Sequence, residues 1–125
     1  MIYIPIKIYG YKFDVLLDSG ASHSFVSETV AKALPLPVKD EPSQSVQLPD
    51  GRNLTANRYA LKRMEIAGRQ FQKVKLHVIE MNPSIILGCD FLNRTRAELN
   101  FEDFTATLWC GTEKVRISGQ LEPQQ

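Results

Sequence analysis

Asp18, Ser19 and Gly20 are the residues of this sequence best suited to chemistry. Asp18 follows the apolar run Val15-Leu16-Leu17, which places a carboxylate at the end of an apolar strand, a setting that catalytic carboxylates favour. Gly20 lets the backbone turn and approach a ligand closely. Ser19 offers a hydroxyl that can hydrogen-bond across a tight interface. The plainer reading of the same three residues is an Asx turn, in which the Asp18 carboxylate bonds the backbone two residues on. Other chemistry is poorly supported. Ser19 or Ser22 beside His23 lacks the Gly-x-Ser-x-Gly elbow of a serine nucleophile. His23, His77, Cys89 and Cys110 have no metal-ligand spacing, so neither a metal nor another cofactor is expected. His77 shares the polar side of a predicted strand with Lys73 and Lys75 and is expected to be solvated, whereas Cys89 is expected to be a small buried residue. Asn53-Leu54-Thr55 and Asn93-Arg94-Thr95 match glycosylation sequons, read as chance because no secretory signal accompanies them.

The elements that must position Asp18 are mostly strands. Ile2, Ile4, Ile6 and Ile8 alternate with Tyr3, Pro5 and Lys7, and the alternation resumes at Phe13, Val15 and Leu17 after a turn at Tyr9-Gly10-Tyr11. The 18–22 loop follows, and then Ser27 can cap a short helix from Glu28 to Leu34, stopped by Pro35 and Pro37. Pro49-Asp50-Gly51 turns the chain between strands at Ser45-Leu48 and Leu54-Tyr59. Ala67-Gly68-Arg69 turns it again before Val74, Leu76 and Val78. The short apolar run Ile85-Ile86-Leu87 comes next, with Asp90 predicted to cap one helical turn from Phe91 to Asn93. Late strands are predicted near Ala97-Phe101 and Phe104-Trp109. Many short strands with one or two short helices imply an all-β, closed or nearly closed fold. One domain is expected over residues 1–117, and residues 118–125 have little to bury and are expected to form a flexible tail.

Composition narrows the classes further. At 125 residues there is room for one core and not two. Fifteen basic against 14 acidic side chains give a net charge of +1, no basic field for nucleic acid. No apolar run approaches the roughly 20 residues of a membrane span. Two cysteines are too few for a disulfide scaffold. Without a secretory signal the expected location is cytoplasmic.

Taken together, Asp18-Ser19-Gly20-Ala21-Ser22 after an apolar strand and Ile85-Ile86-Leu87-Gly88-Cys89-Asp90-Phe91-Leu92 downstream resemble the retropepsins, the retroviral-type aspartic proteases. With Ser22-His23-Ser24-Phe25-Val26 after the first loop, the pattern is most similar to gypsy-type retrotransposon proteases or domesticated derivatives. The resemblance runs from about Ile2 to Leu108 and implies a retropepsin-like closed β fold with half of an active site per chain. It implies that Asp18 is catalytic, that Ser19 and Gly20 support its loop, and that Leu87 and Gly88 pack beside it. Ala21, Ser22, Asp50, Gly51 and Ile86 would contact substrate, with the Gln44–Tyr59 hairpin as the flap. Aspartic-protease chemistry needs two carboxylates sharing one proton, and this chain has one Asp-Ser-Gly, so the second would be Asp18 of another copy in a homodimer. The expected activity is an aspartic endopeptidase cleaving extended apolar segments of a polyprotein, in a retroelement setting. The alternative is a catalytically silent retropepsin-fold module for dimerisation or peptide binding. Many viral members carry an aspartate at the place of Ser22 and an arginine at the place of Cys89. Both charges are missing here, which implies a different support for the loop.

Overall fold

Ile2, Ile4, Ile6 and Ile8 are all but fully buried, as their alternation in β1 (Ile2–Ile8) requires. The computed structural model describes residues 1–122. Tyr9 and Gly10 turn the chain with φ of 53° and 80°. A two-residue turn of that hand matches the twist of the strands it joins. It sets β2 (Tyr11–Leu17) against β1 in a register running from Ile2↔Leu17 to Ile8↔Tyr11. β3 (Phe25–Ser27) leads into α1 (Glu28–Ala33), whose first turn is capped by Ser27 Oγ accepting Val30 N–H at 3.1 Å. Then come β4 (Lys39–Gln47), β5 (Asn53–Ile66), β6 (Arg69–Ile79), β7 (Ile85–Leu87) and α2 (Cys89–Arg94). β8 (Glu98–Asn100), β9 (Thr105–Cys110) and β10 (Glu113–Ser118) follow.

The larger sheet runs β1-β2-β7-β3-β6-β5, and β5 meets β1 again at Lys7↔Glu65, which closes a six-strand barrel. β4 lies outside the ring, paired to the first part of β5. The fold is therefore all-β and closed, with two short helices. Closure leaves few free edges. The three-strand sheet β8-β9-β10 sends Ala106, Leu108 and Ile117 into the barrel's core.

Alternation across β2, β7 and β3 divides the apolar residues into two clusters. Leu17, Leu87, Ile85 and Val26 enter the main core. Their neighbours Leu16, Ile86 and Phe25 point the other way and join Ala21, Val46 and Leu48 in a second cluster. The second cluster lies between the 18–22 loop and the β4–β5 hairpin, and this gives the hairpin an apolar seat.

Several boundaries differ from expectation. α2 begins at Cys89 with Gly88 at its N-cap; Asp90 lies inside the first turn, where its Oδ1 accepts Phe91 N–H at 2.7 Å while its carboxylate also reaches Ser24. β10 was not predicted, because Glu113, Lys114 and Arg116 mask the alternating Val115 and Ile117. The expected flexible tail does not begin at residue 118. Ser118 pairs with Thr105, Gly119 N–H donates to Phe104 O (2.7 Å), and Gln120 exchanges two 2.8 Å bonds with Tyr3. Residues 123–125 lie outside the described residues.

A Cβ added at Gly119 would stand 2.5 Å from Ile2 Cγ2 and from Tyr3 O. Gly119→Ala is therefore expected to destabilise the protein by about 1–3 kcal/mol, the usual cost of overpacking. Urea unfolding checks this, and an unchanged midpoint would mean that the Gly119–Gln120 segment is not docked on β1.

Candidate functional site

Asp18 is the first residue beyond β2, and the parallel pairing of β2 with β7 fixes where it stands. Leu16 faces Ile86, Leu17 faces Leu87, and Asp18 N–H continues the ladder by donating to Leu87 O at 3.1 Å. The chain then turns sharply. Gly20 N–H donates to Asp18 Oδ1 at 2.8 Å, and Ala21 N–H to Asp18 O at 3.2 Å. The Asx turn expected from the plainer reading is thus present, and it holds one carboxylate oxygen. Among the described residues no hydrogen bond reaches Oδ2. Ser19 and Gly20 are exposed at the rim, while Ala21 is fully buried in the second cluster.

Gly88 lies against this loop so closely that only glycine fits. A Cβ there would be 2.1 Å from His23 O and 2.7 Å from Ala21 O. Cys89 N–H donates to Ala21 O (2.9 Å), and Cys89 Sγ lies 3.0 Å from Ser19 O. Ser24, fully buried, ties the far side: its hydroxyl donates to Asp90 Oδ1 at 2.6 Å and accepts Gly88 N–H at 3.1 Å. Asp90 Oδ2 accepts Ser24 N–H at 3.1 Å. These bonds join residues 64 to 66 positions apart and tie the loop to the start of α2. Asp90 was read from sequence only as a helix cap. Cys89 is partly exposed and not buried as expected.

The hairpin of β4 and β5 closes over the loop. Ser22 N–H donates to Gln47 O at 3.0 Å, and Gln47 N–H donates back to Ser22 Oγ at 2.9 Å. At the tip, Asp50 accepts the backbone N–H of Arg52 (2.9 Å) and its Nε (2.6 Å), which holds the carboxyl below the usual range. Gly51 takes the turn at φ 89°. Ala21, Ser22 and Ile86 are thus brought beneath the hairpin, and Asp50 and Gly51 stay at its exposed tip.

His77 corrects the sequence reading. It is 1% exposed and not solvated, because this end of β6 is covered by β3 on its edge (Phe25↔His77) and by the 22–24 loop and β4 on its face. Its ring meets that of His23 edge-on with centroids 5.1 Å apart. Its Nδ1 lies 3.2 Å from Glu41 Oε1 on β4 without forming a hydrogen bond. Glu41 also accepts Lys75 Nζ at 2.8 Å. Burial pushes the His77 imidazolium down, partly opposed by the Glu41 charge and aided by His23 and Lys75. The Lys75 hydrogen bond holds the Glu41 carboxyl below its ordinary value against the opposing effect of burial. Among the described residues no group of three or more histidine, cysteine or acidic side chains could hold a metal ion.

The comparisons agree with this geometry. Residues 4–94 match the profile of the family described as "gag-polyprotein putative aspartyl protease", and the chain belongs to that retropepsin-like family. Over 78 residues it is 35% identical to "Uncharacterized protein 7" of Soybean chlorotic mottle virus, a stretch covering 62% of this chain. The chain spans about half, 51%, of that viral protein. The crystal structure of the retroviral protease-like domain of Ddi1 from Leishmania major superposes with a TM-score of 0.71 at 19% identity, covering 98% of this chain and 95% of that one. That likeness establishes the fold.

Two expectations follow from the loop's supports. Asp90→Ala leaves the buried Ser24 hydroxyl without its acceptor and is expected to destabilise the fold by about 1.5–3 kcal/mol, the scale of hydrogen bonds to a charged group. A Ser24→Ala, Asp90→Ala cycle in urea should be clearly non-additive, and additive losses would show that the pair is not coupled. The second concerns pH. The folded His77 binds a proton less readily than the unfolded histidine, whose ordinary value is 6.5, so the folded state holds fewer protons below that value. Stability is therefore complete above about 6.5 and declines as pH falls through the lowered folded value. Glu41 adds a loss in the same direction at more acid pH, below its ordinary 4.5. His77→Gln should flatten the stability profile between neutrality and pH 5, and parallel profiles for variant and wild type would rule this out.

Proposed function

We propose that this chain is one half of an aspartic endopeptidase, completed when a second copy brings its own Asp18 to the first. The carrying observation is the state of the Asp18 carboxylate. Its position is fixed by the β2–β7 ladder and one oxygen is held by Gly20, while the other has no hydrogen bond among the described residues. The chain's other carboxylates near the loop are committed: Asp50 to Arg52 and Asp90 to Ser24. A second copy is the economical source of the partner that the chemistry needs.

In this reading the two carboxylates share one proton and hold a water between them. The ionised member takes a proton from that water as its oxygen attacks the peptide carbonyl. The protonated member donates to the carbonyl oxygen. Collapse of the tetrahedral adduct then breaks the C–N bond, and the leaving amine takes up a proton. Ser19 is exposed, and among the described residues its hydroxyl makes no hydrogen bond, which suits a bond across to the partner's loop. An extended peptide would be bound as an added strand, with apolar side chains favoured by Ala21 and Ile86. The family's gag-polyprotein description supports a polyprotein as substrate, in a cytoplasmic retroelement particle.

Asp18→Asn is expected to lower peptide cleavage by at least about 10²-fold, the smaller end of general acid–base contributions, with thermal unfolding unchanged. Wild-type specific activity should rise with protein concentration, as a dimer requires, and show a bell-shaped pH dependence on the acid side. Mass spectrometry of a degenerate peptide library provides the assay. Cleavage by Asp18→Asn at the wild-type rate would refute the mechanism, and a folded wild type that cuts nothing at any concentration would favour the silent binding module.

A further inference from the structure

The hairpin and the loop are too close for a substrate. A peptide added as a strand between two elements needs about 4.8 Å to each neighbour, so the elements must stand about 9.6 Å apart. Here Gln47 and Ser22 bond each other directly, N–H to O at 3.0 Å and N–H to Oγ at 2.9 Å. Pro49 reaches over the rim as well: a Cβ built on Gly20 would lie 3.6 Å from Pro49 O and 3.7 Å from its Cα. Leu48 is 4% exposed and Val46 1%. Both share the apolar cluster of Ala21, Phe25 and Ile86, the surface on which a substrate's side chains would settle.

We infer that this is a self-occluded state, in which the chain's own Gln47-Leu48-Pro49 segment takes the strand position of a substrate and Ser22 is the latch that holds it there. The inference rests on the proposed peptide-binding function only for its consequence in catalysis; the latch itself is a property of the free protein. Ser22 suits the task because it offers a backbone donor and a side-chain acceptor to one residue, Gln47. Its hydroxyl is in turn braced by Nδ1 of His23 at 2.7 Å. An aspartate at position 22 would offer an acceptor too, but its charge would have to be desolvated under the hairpin. Substrate entry then requires both Ser22–Gln47 bonds to break and Leu48 to leave its seat. The hairpin has the means to swing: one glycine at its tip, Gly51 at φ 89°, and a register break in β4 between Asp40 and Gln44. Beyond that break Glu41 stays anchored by Lys75, so the movement is confined to the residues that cover the loop.

The test is amide hydrogen exchange on the intact protein, followed by steady-state kinetics. In wild type, the Gln47 amide should be protected although its residue is exposed. Ser22→Ala should speed exchange at Gln47 by about five- to tenfold, the worth of one ordinary hydrogen bond. Leu48→Ala, which keeps the hydrogen bonds but empties the seat, should speed exchange at both Gln47 and Ser22. With a peptide taken from the library screen, both variants should show a lower KM than wild type. A Gln47 amide that exchanges at the unprotected rate in wild type, or is unaffected by both substitutions, would overturn the latch. Faster exchange accompanied by a higher KM in both variants would overturn the self-occlusion, since opening the hairpin would then not favour substrate. If no variant cleaves any peptide, the protease reading fails, while the exchange data still decide for or against the latch.

Discussion

The approach of the Gly88 backbone to the carbonyls of Ala21 and His23 is the constraint on which the rest of the site depends. No side chain can stand between them, since even a methyl group would lie 2.1 Å from His23 O. That contact brings the end of β7 against the loop that leaves β2. It converts a flexible cluster of small polar residues into a structure with one geometry. Asp18 takes its position from the Leu87 carbonyl, Ala21 accepts from Cys89, and Ser24 binds both Gly88 and Asp90. A carboxylate that is to hold a proton and a water in one arrangement must be placed in advance. The fixed parts of this loop are therefore its backbone and its supports, and its rim is left exposed.

The same pairing explains how a chain of one domain has two apolar clusters. β7 is only three residues long and is buried on both faces, because β2 and β3 flank it and the two faces serve different purposes. Leu87 and Ile85 complete the barrel core, and Ile86 looks outward beneath the hairpin. The barrel core is the larger of the two clusters. The outer cluster seats the hairpin, and in the proposed function a peptide would have to take the same seat in its place. On the proposed reading, access to the site would depend on a local equilibrium set by two hydrogen bonds and one leucine, within the range of ordinary fluctuations.

Much of this was legible in the sequence where the pattern is local. The isoleucines of β1, the Ser27 cap, the Pro49-Asp50-Gly51 turn and the apolar strand before Asp18 each declare themselves within a few residues. Features made by distant parts of the chain were not legible. Asp90 looked like a helix cap, because Ser24 lies 66 residues away. His77 follows Lys73 and Lys75 on alternate positions, and simple parity puts it in water. The parity itself holds, since Lys75 and His77 both reach Glu41, but the far end of β6 is covered on both faces, so the side that carries them does not face water at His77. β10 was hidden by its charges although Val115 and Ile117 alternate correctly.

The absent aspartate–arginine pair bears on how such a loop can be held. A buried ion pair gives little net stability, since desolvating both partners offsets most of their attraction. Its worth lies in geometry, and geometry can be provided in other ways. Here Ser24 and Asp90 supply charge-assisted hydrogen bonds at a site where the carboxylate keeps contact with water, so the desolvation cost is largely avoided. Ser22, released from any ionic role, is free to bond the hairpin. With neither charge present no partner is stranded, and Ser22 offers its backbone and hydroxyl to Gln47 of the hairpin.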